Sequence, residues 1–271
     1  MRLFAEHLVV VRGGGDLATG VVARLHRAGF PVVVLELARP LAIRRTVSVA
    51  RAVAEGAATI EDLSAQVVGT PAEAIEMGDT GVIPVLVSDH LPTFPKEISV
   101  LVDARVAKRT LDTNLDQAPL VIALGPGYTA GVDCHAVVET MRGHHLGRVL
   151  WTGSAVPNTG VPGLVGGRSA ERVIRALEAG PIVWEVDIGD LVVAGQEIGH
   201  VGGSPIRAGL DGVVRGLIDS SQSAQVGLKI ADIDPRSDPT ACFEISDKAL
   251  SVGGGVLEAI LTWLNQSPRS D

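Results

Sequence analysis

The chain has 271 residues, of which 46% are apolar but only 3% aromatic, so a sizeable core must be built from aliphatic side chains. Its formal net charge of −8 argues against broad nucleic-acid binding, which requires a basic surface that neutralises phosphates. Cys134 and Cys242 are too few for a disulfide framework and favour a reducing cytoplasm. Since every long apolar run is interrupted by a charge or glycine, we expect no membrane partner.

The first 36 residues predict a β-strand, an α-helix and a second β-strand. Residues 8–11 are a continuous apolar run, residues 16–28 carry apolar side chains at helical spacing, and residues 31–36 form a second run. Further helices are predicted at 46–55, 71–77 and 133–141, and further strands at 65–68, 82–87, 100–103, 120–124 and 148–151. Strands that alternate with helices predict an α/β fold, with a Rossmann-like parallel sheet.

The second half of the chain has a different composition and a different pattern of predicted elements. Residues 153–167 are rich in Gly and Pro and predict a loop, which a short helix at 170–179 follows. From about residue 182 to 233, short β-like runs alternate with glycine turns, and residues 249–264 predict a final amphipathic helix. We therefore divide the chain into a Rossmann-like nucleotide-binding domain at 1–152, a linker loop and short helix at 153–181, a β module at 182–236, and a C-terminal segment and helix at 237–271.

The turn after the first strand has the spacing of a dinucleotide-binding fingerprint. Gly13 allows a sharp turn, Gly15 lets backbone N–H groups approach a phosphate, and the helix N-terminus favours an anion. Glu36 can accept hydrogen bonds from a ribose diol, so an unphosphorylated ribose, as in NAD, fits better than a 2′-phosphate. Gly13, Gly15, Asp16 and Glu36 are therefore candidate cofactor-binding residues. The alternative is a bare scaffold with a tight turn, because an Asp at position 16 is also an ordinary helix N-cap that would use those donors.

Arg44 and Arg45 form a second candidate anion site, just before the helix predicted at 46–55. Two guanidinium groups beside free helix N–H donors suit a phosphate or a carboxylate. A solvated basic turn is an equally good interpretation of the pair.

A third group of candidates follows the strand predicted at 120–124. Its glycine loop lies at a strand's carboxyl end, where open α/β sheets bind ligands. His135 and Glu139 would share a face of the helix predicted at 133–141, where they could hold a divalent metal, shuttle a proton or make a surface contact. We assign no metal, and we expect the cleft to be lined by Gly125, Gly127, Asp133 (the helix N-cap), His135 and Arg142. Cys134, in the same predicted first turn, could be a nucleophile, could carry sulfur, or could simply be a small half-buried residue.

The β module resembles a biotinyl/lipoyl-type barrel-sandwich domain. Residues 186–198 resemble its opening half and residues 206–215 its returning strand pair. In such domains a lysine between the halves carries the cofactor, but here that position reads Gly202-Gly203-Ser204. We therefore expect a small β-rich module that serves as a docking surface or lid rather than as a carrier.

The sequence as a whole resembles the YqeB family of the selenium-dependent molybdenum hydroxylase system, related to XdhC-type accessory proteins. The matching stretches are residues 12–20, 103–105, 124–133, 138–140, 157–160, 227–236 and 245–248. The resemblance implies a role in maturing or supplying a molybdenum hydroxylase, which would then be the partner. XdhC-like relatives handle the molybdenum cofactor, an anionic pterin phosphate.

The expected function is therefore that of an accessory protein that binds a nucleotide such as NAD, or a molybdopterin-type cofactor. A homo-oligomer is compatible with the sequence. One alternative is an NAD-dependent oxidoreductase with His135 or Lys108 as proton donor, although Tyr128 is the single tyrosine and no Y-x-x-x-K follows it. The other alternative is a non-catalytic scaffold that docks the hydroxylase through the β module.

Overall fold

The computed structural model describes residues 3–107, 109–160, 163 and 165–266. In this part of the chain the α-helices are α1 (Asp16–Arg27), α2 (Arg51–Glu55), α3 (Pro71–Gly78) and α4 (Asp247–Gln266). The strands of the first half are β1 (Leu8–Arg12), β2 (Val32–Glu36), β3 (Ala57–Ile60), β4 (Leu63–Val68), β5 (Ile83–Val87), β6 (Ile98–Asp103), β7 (Leu120–Leu124), β8 (Thr129–Ala130), β9 (Ala136–Val138), β10 (Val149–Leu150) and β11 (Gly153–Ser154). Those of the second half are β12 (Val173–Arg175), β13 (Gly180–Trp184), β14 (Leu191–Val192), β15 (Glu197–Val201), β16 (Ser204–Arg207), β17 (Gly212–Leu217), β18 (Ser223–Ala224) and β19 (Lys229–Asp234).

A nine-stranded mixed sheet forms the centre of the molecule, in the order β10-β9-β7-β6-β1-β2-β5-β4-β3. The strands from β9 to β4 run parallel, while β10 and β3 pair antiparallel at the two edges. Every residue of β1 and of β7 is buried, as a continuous apolar strand covered on both faces should be. The β1–α1–β2 unit predicted from the sequence is confirmed.

The helix predicted at 133–141 is wrong, because this segment contains β9. Ala136, Val137 and Val138 are all buried and extend the sheet parallel to β7. Two β-branched residues in a fully buried run favour a strand once a partner strand is available. The helix predicted at 46–55 is likewise reduced to the 3-10 turn Arg45–Val47 and the short α2.

The C-terminal helix α4 contacts β7, β9 and β10 of the large sheet. It lies against α1, and glycines allow the two backbones to approach closely. A Cβ on Gly20 would be 2.2 Å from the carbonyl oxygen of Ala249, and one on Gly253 would be 2.3 Å from that of Gly20. Positions 20 and 253, at the contact between α1 and α4, therefore have to be glycine.

The second half forms two four-stranded antiparallel sheets, β12-β19-β17-β14 and β16-β15-β13-β18. A common apolar core, which includes Ile198, Val214 and Ile230, lies among these strands. The helix predicted at 170–179 is wrong, since the segment forms a 3-10 turn (Ala170–Arg172) and then β12, which pairs with β19.

These observations correct the predicted fold class. A doubly wound Rossmann-like sheet requires helical crossovers, but the connections β6–β7 and β7–β9 contain no α-helix among the described residues. The small biotinyl/lipoyl-like module is replaced by a larger unit that also recruits β12 from the predicted linker. The fold is a large mixed sheet joined to two antiparallel sheets. Within the described residues, no helix has both the length and the apolar character needed to cross a membrane.

Candidate anion-binding cleft

A cleft of about 450 Å³ lies between the large sheet and the antiparallel sheets. On the sheet side it is lined by residues that follow the carboxyl ends of parallel strands, namely Asp16 after β1, Val106 after β6, Pro126 after β7 and Glu139 after β9. On the opposite side it is lined by Arg172, Arg215, Lys229 and Asp232. The cleft therefore occupies the edge where parallel sheets bind ligands.

The lining of the cleft is strongly cationic. Among the described residues, its cationic side chains are Arg44, Arg142, Arg172, Arg175, Arg215, Lys229 and Lys248, and its carboxylates are Asp16, Glu139 and Asp232. The whole chain, in contrast, has a formal charge of −8. Concentrating positive charge in a concave site bounded by protein raises its attraction for anions above that of an open surface.

Three cations surround one buried carboxylate on the antiparallel-sheet side, and we call Arg172, Arg215, Lys229 and Asp232 the Asp232 cluster. Arg172 donates a hydrogen bond to Asp232 Oδ1. Arg215 Nη1 lies 3.7 Å from Asp232 Oδ2, and Lys229 Nζ lies 3.7 Å from Oδ1. Asp232 can therefore compensate only one of the three positive charges.

Arg215 is the least satisfied member of the Asp232 cluster. Its side chain is 9% exposed, and within the described part of the chain its Nε has no hydrogen-bond partner. Asp234 Oδ2 is 3.8 Å from this Nε, but the carboxylate already accepts hydrogen bonds from Arg236 at 2.5 and 2.9 Å. Burial lowers the pKa of Arg215, and the positive charge of Arg44 lowers it further.

Arg44 approaches the same region from the sheet side. Nη1 pairs with Asp16 Oδ2 at 3.0 Å, and Nη2 donates to the carbonyl oxygens of Ala241 and Glu244. Arg44 Nε and Asp16 Oδ1 are buried without a hydrogen-bond partner among the described residues. The centre of the cleft thus combines buried guanidinium groups from both halves of the chain with unused hydrogen-bonding capacity.

The amino end of α4 adds Lys248 to the cleft. Burial lowers the pKa of this amine, and the nearby Arg142 guanidinium acts in the same direction. Arg142 itself makes a two-pronged ion pair with Asp247, at 2.9 and 3.1 Å. Glu139 is buried, and its two oxygens accept hydrogen bonds from the amides of Met141 and Val156. Glu139 therefore holds two loop segments of the wall in place.

The glycine turn is stabilised by the chain's own carboxylate. Gly13 has a φ of +97°, a conformation that glycine adopts readily, and Gly15 is the N-cap of α1. The Gly14 amide donates to Glu36 Oε2 at 2.7 Å, and the Leu37 amide donates to Glu36 Oε1 at the same distance. Both oxygens of Glu36 are therefore already used, and Asp16 is the member of the turn that lines the cleft.

The second glycine loop supports the cleft wall. A Cβ on Gly125 would be 2.4 Å from Thr140 Oγ1, so this residue allows close packing against the loop after β9. The Gly127 carbonyl accepts a hydrogen bond from Thr110, and Asp133 Oδ2 accepts one from the Thr129 amide. Asp133 stabilises a turn rather than a helix N-terminus, and none of Gly125, Gly127 or Asp133 lines the cleft.

His135 and Arg45 lie away from the cleft. His135 precedes β9, accepts a hydrogen bond from the Val121 amide at Nδ1, and lines a separate depression at the amino ends of β6 and β7. Arg45 donates to the Leu217 carbonyl and pairs with Asp219, so it joins the 3-10 turn to the antiparallel sheets.

Of the residues predicted to bind a cofactor, the structure brings Asp16, Arg44 and Arg142 together. Lys108 lies outside the described residues.

Cys134 is fully buried, and burial together with the negative charge of Asp133 raises its pKa to about 12. A protonated, inaccessible thiol is a poor nucleophile, so the small-buried-residue interpretation agrees with the structure.

Sequence reasoning missed the Asp232 cluster. The signal that could have found it is the pattern of β19, where Lys229, Asp232 and Asp234 interrupt an apolar strand. Charges at such positions are expensive unless they serve pairing or binding.

Comparisons with known proteins place the chain close to one curated relative. It is 47% identical to YqeB of Escherichia coli (strain K12) over 267 residues, which are 98% of this chain and 49% of YqeB. The chain thus spans about half the length of that relative. No protein-family model matches it.

Similarity to solved structures is weak. A succinylglutamate desuccinylase/aspartoacylase from Rhodobacter sphaeroides is 11% identical, with 85% of this chain and 86% of that chain covered and a TM-score of 0.24. The ectoine utilization protein EutE (DoeB) from Ruegeria pomeroyi is 9% identical, with 86% of each chain covered and the same TM-score. Similarity at this level indicates nothing about the function of this chain.

Proposed function

We propose that this chain, which is 47% identical to YqeB over the half of that relative that it spans, is an accessory protein that binds an anionic cofactor in the cationic cleft. The cofactor is a phosphate-bearing molecule, either a nucleotide or a molybdopterin-type compound. The observation that carries the proposal is the excess of Arg and Lys in the lining of the cleft, in a chain that is acidic overall.

The size and chemistry of the cleft support a small-molecule ligand. Its volume of about 450 Å³ lies within the range of cofactor pockets. Arg is suited to phosphate because its planar fork donates two parallel hydrogen bonds. Acidic groups that remain available, such as Asp16 Oδ1, could accept hydrogen bonds from the amino or hydroxyl groups of the same ligand.

We further propose that the bound cofactor serves a molybdenum hydroxylase in the reducing cytoplasm. This step rests on the sequence resemblance to the family of that system and on the composition of the chain. Cys134 and Cys242 are both buried and unpaired by disulfide bonds, so neither supports a role as an exposed sulfur carrier. The hydroxylase is therefore proposed as the recipient of the cofactor and not of sulfur from these thiols.

Calorimetric titration of the purified protein with NAD, CTP, ATP and molybdopterin, each in turn, tests the proposal. We expect saturable binding of at least one of these ligands, with affinity that falls as salt is raised, because the site is electrostatic. Absence of saturable binding across the panel would refute cofactor binding. Co-purification with a molybdenum hydroxylase, measured with and without the ligand found, tests the second step separately.

A further inference from the structure

We infer that the Asp232 cluster is a binding site for a phosphate monoester, a terminal phosphate group that carries two negative charges. This inference rests on the proposed function and goes further by naming the chemical group that the cleft recognises. It also locates that group at Arg215, on the antiparallel-sheet side of the cleft.

The first argument is the unused hydrogen-bonding capacity of Arg215. Among the described residues no acceptor lies within hydrogen-bond distance of its Nε, and its two carboxylate contacts are 3.7 and 3.8 Å long. A buried guanidinium group of this kind is costly unless an anion completes its hydrogen bonds. An oxyanion that enters from the cleft would supply the missing acceptors.

The second argument is the balance of charge. Arg172, Arg215 and Lys229 share Asp232, which leaves two positive charges without a countercharge. The neighbouring Asp234 is already engaged by Arg236, and across the cleft Arg44 is engaged by Asp16. A phosphate monoester has nearly two negative charges at neutral pH, whereas each phosphate of a diester or of the NAD pyrophosphate has one.

The third argument is that both halves of the chain supply cations to the same point. Arg44 from the sheet side lies close enough to Arg215 for its positive charge to disfavour the charged form of Arg215. Like charges that face each other across a cleft repel, and an anion between them offsets that repulsion because it attracts both cations. The bound phosphate would therefore also hold the two halves together.

Binding of AMP, 3′,5′-cyclic AMP and adenosine to the full chain, measured by calorimetry in one buffer, tests the inference. AMP has a monoester, cyclic AMP has a diester with the same base and sugar, and adenosine has no phosphate. We expect AMP to bind roughly tenfold or more tightly than cyclic AMP, adenosine to bind most weakly, and inorganic phosphate to compete with AMP. Equal affinities for AMP and cyclic AMP, or no saturable binding of AMP, would overturn the inference.

Variants locate the phosphate. Arg215→Met should weaken AMP binding by roughly tenfold or more, and Lys229→Met provides a second variant at a less buried position. Arg39→Met is the matched control, because Arg39 is exposed and lies outside the cleft. If NAD or ATP binds but neither cluster variant changes the affinity, the inference fails while cofactor binding stands. If no anionic ligand binds at all, the proposed function fails with it.

Discussion

The Gly14 amide donates a hydrogen bond to the Glu36 carboxylate at 2.7 Å, so the glycine turn is occupied by a side chain of its own domain. In a dinucleotide-binding domain, the backbone at this turn approaches a pyrophosphate and the acidic residue binds the ribose. Here the glycine turn and Glu36, the two features that suggested a nucleotide, are hydrogen-bonded to each other. The candidate ligand site lies instead between the sheet and the Asp232 cluster.

Replacing Glu36 with Gln should change the pH dependence of stability. Burial raises the pKa of Glu36 above its ordinary value of 4.5. A carboxyl whose pKa is raised by folding contributes stability below its unfolded pKa and loses that contribution as pH rises through the folded value. We therefore expect the free energy of unfolding of the wild type, relative to Glu36→Gln, to fall between pH 4 and pH 7. Urea denaturation at both pH values measures it, and a difference that is constant or that rises would contradict it.

The two glycines of the fingerprint should respond differently to alanine. Gly13 has a φ of +97°, so Gly13→Ala should lower the free energy of unfolding by roughly 1–2 kcal/mol. Gly15 has a φ of −71°, and no heavy atom lies within 4 Å of an added Cβ. Gly15→Ala should change stability by less than about 1 kcal/mol, because a less flexible unfolded chain offsets a poorer N-cap. Chemical denaturation compares the pair, and equal losses would contradict the geometry of the turn.

Neighbouring glycines of α4 should give opposite results. A Cβ on Gly253 would be 2.3 Å from the Gly20 carbonyl oxygen, so Gly253→Ala should destabilise the protein by roughly 1–3 kcal/mol. Gly254 has no heavy atom within 4 Å of an added Cβ, so Gly254→Ala should stabilise the helix by up to about 1 kcal/mol. Thermal unfolding distinguishes the two, and a stabilising Gly253→Ala would refute the close packing of α1 against α4.

Cys134 should be unreactive in the folded protein. Its thiol is fully buried, and its pKa is raised to about 12, so it stays protonated at pH 8. We expect iodoacetamide to label Cys134 only after denaturation, as read by mass spectrometry of the modified peptide. Rapid labelling of the native protein at pH 8 would restore Cys134 as a candidate nucleophile.

The sequence predicts those parts of the fold that depend on local pattern. The β1–α1–β2 unit follows from apolar runs and a glycine turn that are adjacent in the chain. The strand β9 could not be predicted in the same way, because three residues become a strand only when β7 is beside them. The helix α4 likewise reaches its place against α1 from the far end of the chain.

The candidate site was harder to predict than the fold, because its residues are far apart in the sequence and meet only through tertiary contacts. Arg172 and Asp232 form an ion pair across 60 positions of sequence, and Arg215 joins them from a third segment. Nothing in the spacing of these residues indicates their proximity, since the antiparallel pairing of β19 with both β12 and β17 creates it. Arg44 and Asp16 were predicted individually, but their ion pair depends on the loop after β2 returning to the amino end of α1.

A crystal structure of the protein bound to AMP tests the proposed site most directly. We predict that the phosphate lies in the cleft, within hydrogen-bond distance of Arg215 and facing Arg44 across the two halves of the chain. A phosphate bound at the Gly13–Gly15 turn with the Glu36 carboxylate displaced, or one bound outside the cleft, would contradict it.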